Sequence, residues 1–278
     1  MTRSPLAARA PAKINLTLHV LGRRPDGYHD LETLFAFCRD GDLIELTRSD
    51  ADNLTVIGPF AAALQPASDN LVTRAADAFA TAFGVTQPYA ITLTKNLPIA
   101  SGIGGGSTDA AATLRALARL HGVPLEHPDL PVTAAKLGAD VPACLLGRAA
   151  LGQGRGDVLH PIAGLPGQPV LLVNPGVPVS TAAVFARWDG VDRGPLGAGD
   201  LLSVACAGRN DLEPAARALA PAIDEVLALL SAQSGVLLAR MSGSGATCFA
   251  LFEDERARDI ASSAAAERRW WRLETALA

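Results

Sequence analysis

The sequence is poor in cysteine and aromatic residues, and it contains no long hydrophobic run. Its four cysteines, at positions 38, 144, 206 and 248, are too irregularly spaced for a zinc set or a disulfide framework, and they predict reduced side chains in a cytoplasmic protein. No apolar run approaches the roughly 18 residues of a membrane span, so we expect neither a membrane segment nor export. An aromatic content of 5% and a net charge of −4 leave few stacking platforms and no basic stripe, which argues against a nucleic-acid partner.

Glycine, by contrast, is concentrated in one informative segment. Four glycines occupy five positions between residues 102 and 106, where missing Cβ atoms let a polyanion approach the backbone. Ser107, Thr108 and Asp109 are predicted to cap a helix over residues 109–121, whose dipole would favour negative charge in the loop. The segment therefore predicts a phosphate-binding loop, although an ordinary flexible loop has the same composition.

Two common nucleotide-binding motifs are excluded by what this segment lacks. No lysine follows the glycines, as the Gly-Lys-Ser/Thr ending of a P-loop requires. No third glycine stands at the spacing of a dinucleotide fingerprint, and no acidic residue follows on a second strand. The loop therefore belongs to another nucleotide-binding fold.

Strand and helix patterns are interspersed along the chain. Residues 12–20 and 42–46 alternate as strands do, residues 70–83 are predicted to be helical, and a buried strand is expected at 170–173. Only part of the chain alternates strand with helix, which predicts an α+β protein. Glycine and proline become frequent around residues 155–167, so we predict two domains, at 1–158 and 159–278.

Several single residues admit both a structural and a chemical interpretation. Lys13 lies in an alternating strand and is either a solvent-facing position or a buried functional cation. Asp140 stands in an apolar stretch, so we expect a buried carboxylate that serves as a helix cap, a structural ion pair or a general base. Tyr28 and His29 follow a Pro-Asp-Gly turn, which presents side chains to solvent or ligand. Asn70 is typical of a helix N-cap.

Three segments in order resemble the motifs of the GHMP kinase superfamily. They are Pro-Ala-Lys-Ile-Asn-Leu at 11–16, the glycine segment at 98–112, and Met-Ser-Gly-Ser-Gly-Ala at 241–246, the last of which could equally be a plain hairpin connection. The resemblance implies the two-domain α+β GHMP kinase fold, with mixed and antiparallel sheets, helices, and an active site in the cleft between the domains. It covers nearly the whole chain.

The resemblance also implies an activity and a set of site residues. The segments at 24–29, 104–111 and 137–142 are similar to a branch of the superfamily that transfers the ATP γ-phosphoryl group to the 2-hydroxyl of 4-diphosphocytidyl-2-C-methyl-D-erythritol. Asp140 would accept the hydroxyl proton and Lys13 would keep Asp140 ionised. Mg²⁺ is implied with ATP, but its ligands stay unassigned. The ATP and phosphate side comprises Asn70, Lys95, Pro98, Ile99, Ala100, Ser101, Gly102, Ile103, Gly104, Gly105, Gly106, Ser107 and Thr108. The acceptor side comprises Asn15, Tyr28, His29, Thr181 and Phe185, with Tyr28 and Phe185 enclosing the cytosine and His29 contacting its edge.

Two alternatives remain. A kinase of the same fold could act on mevalonate or homoserine, although these acceptors have no base to stack on Tyr28. A catalytically silent nucleotide-binding regulator is the other, and the presence of both Lys13 and Asp140 argues against it. The sequence does not predict an oligomeric state.

Overall fold

The computed structural model describes residues 5–64 and 70–278, which divide into two compact units. The first unit draws its described residues from Met1–Ala12, Asp40–Ile99 and Gly104–Gly147. The second comprises Lys13–Arg39, Ala100–Ile103 and Arg148–Ala278. Each unit is thus assembled from three separate stretches of chain, and the division of functions at residue 158 stays a prediction.

The described residues contain ten strands and nine α-helices. The strands are β1 (Leu6–Arg23), β2 (His29–Arg48), β3 (Asn53–Ile57), β4 (Tyr89–Thr94), β5 (Ala150–Gly154), β6 (Val158–Pro161), β7 (Pro169–Asn174), β8 (Val236–Met241), β9 (Cys248–Phe252) and β10 (Trp271–Ala276). The helices are α1 (Leu71–Phe83), α2 (Gly105–His121), α3 (Asp129–Leu137), α4 (Val141–Leu146), α5 (Thr181–Ala186), α6 (Leu201–Ala207), α7 (Glu213–Leu219), α8 (Ala222–Ser231) and α9 (Glu255–Glu267).

In the first unit, helix α2 is the central element. Helices α1, α3 and α4 all pack against it, and most of its residues are buried, which explains why small alanines cover so much of its surface. Beside these helices, β4 pairs in parallel with β3 and antiparallel with the C-terminal part of β2, so this sheet is mixed. Helix α1 begins as predicted, because the Asn70 side chain accepts a hydrogen bond from the Val72 amide at 2.9 Å.

Helix α2 starts four residues earlier than the sequence predicts. Its N-cap is Gly104, in the left-handed region at φ 67°, and the helix already includes Gly105. Ser107, Thr108 and Asp109 therefore lie inside the helix and do not cap it. Glycine disfavours helix by about 1 kcal/mol, but burial of a helix face outweighs such local preferences.

The second unit contains a four-stranded antiparallel sheet in the order β10-β7-β9-β8. Its inner face packs in one hydrophobic cluster with residues of α7, α8 and α9. The N-terminal part of β2 pairs antiparallel with β5, and β5 with β6. The predicted α+β class with mixed and antiparallel sheets is confirmed. Among the described residues, no helix has the length and apolar character to cross a bilayer.

Candidate active site

Lys13 is a buried cation on β1. Its side chain belongs to a residue only 3% exposed, which excludes the solvent-facing interpretation. Its Nζ donates to Asn15 Oδ1 at 2.9 Å and lies 5.1 Å from the centre of the Phe35 ring. The Asn15 amide nitrogen in turn donates to Thr33 Oγ1 at 2.7 Å. The Asn15 side chain, which is itself held by Thr33, therefore fixes the orientation of the Lys13 ammonium group.

Residues from the three sequence motifs are joined by hydrogen bonds within the second unit. Ser242 Oγ donates to the carbonyl of Gly102 at 2.9 Å and accepts from the backbone amide of Asn15 at 3.1 Å. The Lys13 amide donates to the Ile103 carbonyl at 3.0 Å. Gly102 has φ +78°, and a Cβ there would lie 2.4 Å from the Ser242 carbonyl oxygen. The first part of the glycine segment is thus fixed against both β1 and the third motif.

The third motif is the turn of the β8–β9 hairpin, as the plainer interpretation of its sequence predicts. The turn also makes contacts beyond the hairpin. The Thr247 amide donates to the Ser101 carbonyl at 3.1 Å, and Ser244 Oγ shares a hydrogen bond with Thr181 Oγ1 at 2.8 Å. Thr181, a predicted acceptor-binding residue at the start of α5, is therefore attached to the same turn.

The second part of the glycine segment forms the first turn of α2. The Thr108 amide donates to the carbonyl of Gly104 at 2.8 Å, and its hydroxyl donates to the carbonyl of Gly105 at 2.9 Å. The amides of the preceding helical residues, Gly105 to Ser107, have no earlier carbonyl within the helix to pair with and point beyond its N-terminus. Backbone donors at the positive end of a 17-residue helix suit an anion.

Lys95 lies beneath this turn, in a buried ionic cluster. Its Nζ donates to Asp42 Oδ2 at 2.5 Å and to Asp109 Oδ2 at 2.7 Å, and all three residues are about 2% exposed. Burial alone would lower the pKa of Lys95, but the carboxylates of Asp109 and Asp42 outweigh it and the pKa is raised. Burial raises the pKa of Asp109 to about 8 against the opposing charge of Lys95, and the Asp42 charge adds to the rise.

The other residues predicted on the ATP side have simpler surroundings. Asn70 caps α1 through its side chain. Pro98 is buried, whereas Ile99 and Ala100 are exposed, and Ala100 has a positive φ of 50°. The predicted ATP contacts of these residues stay predictions.

Asp140 is half-buried, so the prediction of a fully buried carboxylate is wrong. It occupies the N-cap position of α4, where the Cys144 amide donates to its carbonyl at 3.0 Å but its side chain makes no capping bond. The apolar residues that flank it in sequence, Val141 and Ala143, are buried, because one face of a short helix packs inward while its start stays accessible. Asp140 belongs to the first unit and Lys13 to the second, so their pairing stays a prediction.

His29 lies in a small aromatic cluster of the second unit. Its ring is 4.8 Å from that of Phe185 and 5.5 Å from that of Trp188, which meets it edge-on. Its Nε2 is buried, and no hydrogen-bond partner for it occurs among residues 5–64 and 70–278. Burial, together with the positive charge of Arg23, lowers the pKa of His29. The imidazole is therefore neutral near pH 7, and its buried Nε2 lacks a hydrogen-bond partner in the described part of the chain.

Tyr28 is 52% exposed and stands just before His29. The Arg155 guanidinium lies 5.0 Å from the centre of its ring. The ring that stacks on Phe185 is that of His29, and the predicted enclosure of a base by Tyr28 and Phe185 stays a prediction.

Two residues of these clusters were missed in the sequence. Trp188, 5% exposed, lies just beyond the C-terminal end of α5, and its position three residues after Phe185 is the only local signal that could have pointed to it. Asp42 gave a weaker signal, as one acidic residue at the start of an alternating run. Its 53-residue separation from Lys95 cannot be read from local sequence.

Comparison with protein families gives two matches along the chain. Residues 70–148 match the GHMP kinases N terminal domain, and residues 195–269 match the GHMP kinases C terminal domain.

Curated proteins similar to this chain include two kinases with the same name. The chain is 56% identical to 4-diphosphocytidyl-2-C-methyl-D-erythritol kinase of Rhizorhabdus wittichii, with 96% of this chain and 93% of that protein covered. It is 50% identical to the enzyme of the same name from Novosphingobium aromaticivorans, with 98% and 93% covered.

Solved structures give a consistent result. A crystal structure of 4-(cytidine 5'-diphospho)-2C-methyl-D-erythritol kinase superposes with a TM-score of 0.81 at 36% identity, covering 98% of both chains. Homoserine kinase from Cytophaga hutchinsonii reaches a TM-score of 0.74 at 21% identity, over 99% of this chain and 95% of that one. The second likeness shows a shared fold alone.

Proposed function

This chain belongs to the GHMP kinases and, within them, to the family of 4-diphosphocytidyl-2-C-methyl-D-erythritol kinases, and from this we propose the reaction it catalyses. The protein transfers the γ-phosphoryl group of ATP to the 2-hydroxyl of 4-diphosphocytidyl-2-C-methyl-D-erythritol, giving the 2-phosphate and ADP in the non-mevalonate route to isoprenoid precursors. The observation that carries the proposal is the junction in which Lys13 is hydrogen-bonded to Ile103 and Ser242 to Gly102, since it joins a buried cation to a glycine segment suited to phosphate.

The ATP phosphates bind along residues 98–108. Backbone amides of Gly105 to Ser107 donate to phosphate oxygens, and the dipole of α2 adds a favourable potential there. Such preorganised donors act where negative charge is redistributed during transfer. The fixed path of Ala100–Ile103 supports this role, because a phosphate cradle must hold its shape without a ligand.

Asp140 accepts the proton of the 2-hydroxyl as its oxygen attacks the γ-phosphorus and the bond to the β,γ-bridging oxygen breaks. Half-burial suits this role, since a base must be reachable by substrate and still poorly hydrated. Lys13 stabilises the negative charge that develops on the transferring phosphoryl group. General-base catalysis of this kind contributes about 10²–10⁴ in rate.

The cytosine binds at the aromatic cluster. His29 Nε2 is a buried, unpaired polar atom among the described residues, and it hydrogen-bonds an edge of the base. Phe185 and Tyr28 supply aromatic faces, and base stacking contributes roughly 1–3 kcal/mol. Asn15 and Thr181 hold the erythritol and phosphate portions.

We propose that residues 1–158 carry most of the nucleotide site and residues 159–278 complete the acceptor site. Asn70 lies on the adenosine side. Lys95 Nζ is hydrogen-bonded to two carboxylates. These contacts favour a role for Lys95 in supporting the phosphate loop.

Mg²⁺ would neutralise charge on the ATP phosphates. No group of three or more His, Cys, Asp or Glu side chains able to hold a metal occurs in the described part of the chain. A protein-built cage therefore does not fit these residues, and we assign no ligand. We also propose a cytoplasmic location. All four cysteines are free, which supports this proposal.

The testing experiment measures ADP release by coupling it to NADH oxidation. Wild-type protein with ATP and Mg²⁺ is given 4-diphosphocytidyl-2-C-methyl-D-erythritol, mevalonate or homoserine. We expect turnover with the cytidine compound alone. Turnover with mevalonate or homoserine instead would show that this compound, and not the cytidine compound, is the acceptor. Binding of ATP without turnover on any acceptor would favour a catalytically silent regulator.

The Asp140→Asn variant tests the mechanism within the same assay. We expect kcat to fall at least a hundredfold, because the variant cannot accept the proton, while nucleotide and acceptor affinities stay close to those of wild type. Asp129→Asn, at the start of α3, serves as a matched control. Near-normal turnover of Asp140→Asn would contradict the base assignment.

A further inference from the structure

The cluster of Asp42, Lys95 and Asp109 supports both ends of a turn that the reaction depends on. Asp42 Oδ1 accepts the backbone amides of Asn96 and Leu97 at 2.6 and 2.8 Å. Asp42 Oδ2 and Asp109 Oδ2 both accept from Lys95 Nζ. The cluster therefore ties the chain that enters the glycine segment to the helix that leaves it.

This cluster lies directly under the first residue of α2. A Cβ built on Gly105 would stand 3.0 Å from Lys95 Nζ and 3.8 Å from Asp42 Oδ2. Asp109 is four residues further along, a rise of about 6 Å, and helical side chains tilt toward the N-terminus. The Asp109 carboxyl is thus close to the amides proposed to bind phosphate.

The charges of the cluster do not balance if all three groups are ionised. Two carboxylates face one ammonium, which leaves one net negative charge in a buried site, and burying a charge is costly. Asp109 Oδ1 is the unsatisfied atom, with no hydrogen-bond partner among the residues that the structure describes. Lys95 and Asp42 are the charged groups that act most strongly on the pKa of Asp109, the first lowering it and the second raising it.

We propose that Asp109 holds a proton when nucleotide is bound, so that ATP and one proton bind the protein cooperatively. The inference rests on the proposed function, because it requires phosphate at the N-terminus of α2. The physical reason is repulsion: an ionised Asp109 and a phosphate would compete for the same helix end, whereas the neutral acid leaves the helix dipole to the phosphate. The pKa of Asp109 in the free protein is raised to about 8. Its carboxyl group therefore changes between the protonated and ionised forms within the working pH range.

The expected size of this coupling between proton and nucleotide follows from simple electrostatics. One phosphate charge about 10 Å away, at an effective dielectric constant near 20, favours the protonated form about tenfold. From an even population of the two forms at pH 8, nucleotide binding then takes up about 0.4 proton. At pH 6, where Asp109 is already protonated, the uptake falls below about 0.1. Over pH 7 to 9, nucleotide affinity falls about fivefold.

The direct test is calorimetric titration with Mg²⁺ and adenylyl imidodiphosphate, a non-hydrolysable ATP analogue, in buffers of different ionisation enthalpy. We expect the proton uptake of wild type at pH 8 to vanish in Asp109→Asn, whose affinity should no longer change between pH 7 and 9. Asp77→Asn, an exposed carboxylate on α1, should behave as wild type. Equal uptake by wild type and Asp109→Asn would overturn the proposal.

A second measurement needs no variant, and its first part needs no ligand. In protein labelled with ¹³C at aspartate side chains, the Asp109 carboxyl resonance should titrate near pH 8 and stay in its protonated position to higher pH once the analogue is added. A carboxylate already ionised at pH 6 would overturn the inference. Failure of the analogue to bind at any pH would instead contradict the proposed function, while the titration of the free protein would still report on Asp109.

Discussion

The two halves of the glycine segment are held by different forces. The first half, Ala100–Ile103, is fixed by neutral hydrogen bonds and close backbone packing against β1 and the Ser242 turn. The second half, residues 104–108, begins a helix supported by a buried ammonium between two carboxylates. One loop therefore combines a part that is insensitive to pH with a part whose support is titratable.

The largest effect is expected from Lys95→Met, which removes the cation from the second half. The buried carboxylate of Asp42 and the buried carboxyl of Asp109 would lose their partner, and breaking a buried ion pair costs about 3–5 kcal/mol. We expect the free energy of unfolding in urea at pH 7 to fall by about that amount. Lys136→Met, an exposed lysine on α3, should change it by less than about 0.5 kcal/mol. An unaffected Lys95→Met protein would contradict the role of the cluster.

Gly102→Ala disrupts the first half. Its φ is +78° and a Cβ would meet the Ser242 carbonyl oxygen at 2.4 Å, so both backbone strain and a clash oppose alanine. We expect a loss of about 3 kcal/mol in urea unfolding, equal at pH 6 and pH 9. The control is Gly122→Ala, also at positive φ but with nothing within 4 Å, which should cost about 1 kcal/mol. Equal losses in the two variants would show that the Ser242 contact does not constrain the loop.

Much of this arrangement could be predicted from sequence, but not the support of the second half. Local chemistry located α1 and its Asn70 cap, and the three motifs indicated the residues that meet at Gly102. The start of α2 was missed because burial overrides the low helix preference of glycine. Asp42 and Ser242 act on residues 53 and 140 positions away, and only the fold brings such pairs together. The accessibility of Asp140 depends on how α4 packs, which apolar neighbours in sequence do not reveal.

Ser242→Ala tests the first half more gently. The variant loses the bond to the Gly102 carbonyl and leaves the Asn15 amide without its acceptor; an unpaired buried amide costs roughly 1–3 kcal/mol. We expect about 2 kcal/mol of destabilisation and a tenfold lower kcat. Ser263→Ala, on the exposed face of α9, is the control. Full activity of Ser242→Ala would mean that the junction does not position the site.

A pH trend in stability is a further test of the second half. Because burial raises the pKa of Asp109 to about 8, the native state keeps a proton that the unfolded chain releases above about pH 4, and wild-type stability from this group falls as pH rises toward 8. The Asp109→Asn variant has no group at this position that takes up or releases a proton. Its melting temperature relative to wild type should therefore rise between pH 5 and pH 8, and a constant difference would contradict the assignment.

Phosphoryl transfer to one hydroxyl of the cytidine compound can be observed by ³¹P NMR of the wild-type reaction. With ATP, Mg²⁺ and 4-diphosphocytidyl-2-C-methyl-D-erythritol, we predict one new phosphate monoester resonance that grows in equal amount with ADP, with the diphosphate bridge intact. Accumulation of inorganic phosphate in place of the monoester would contradict the account.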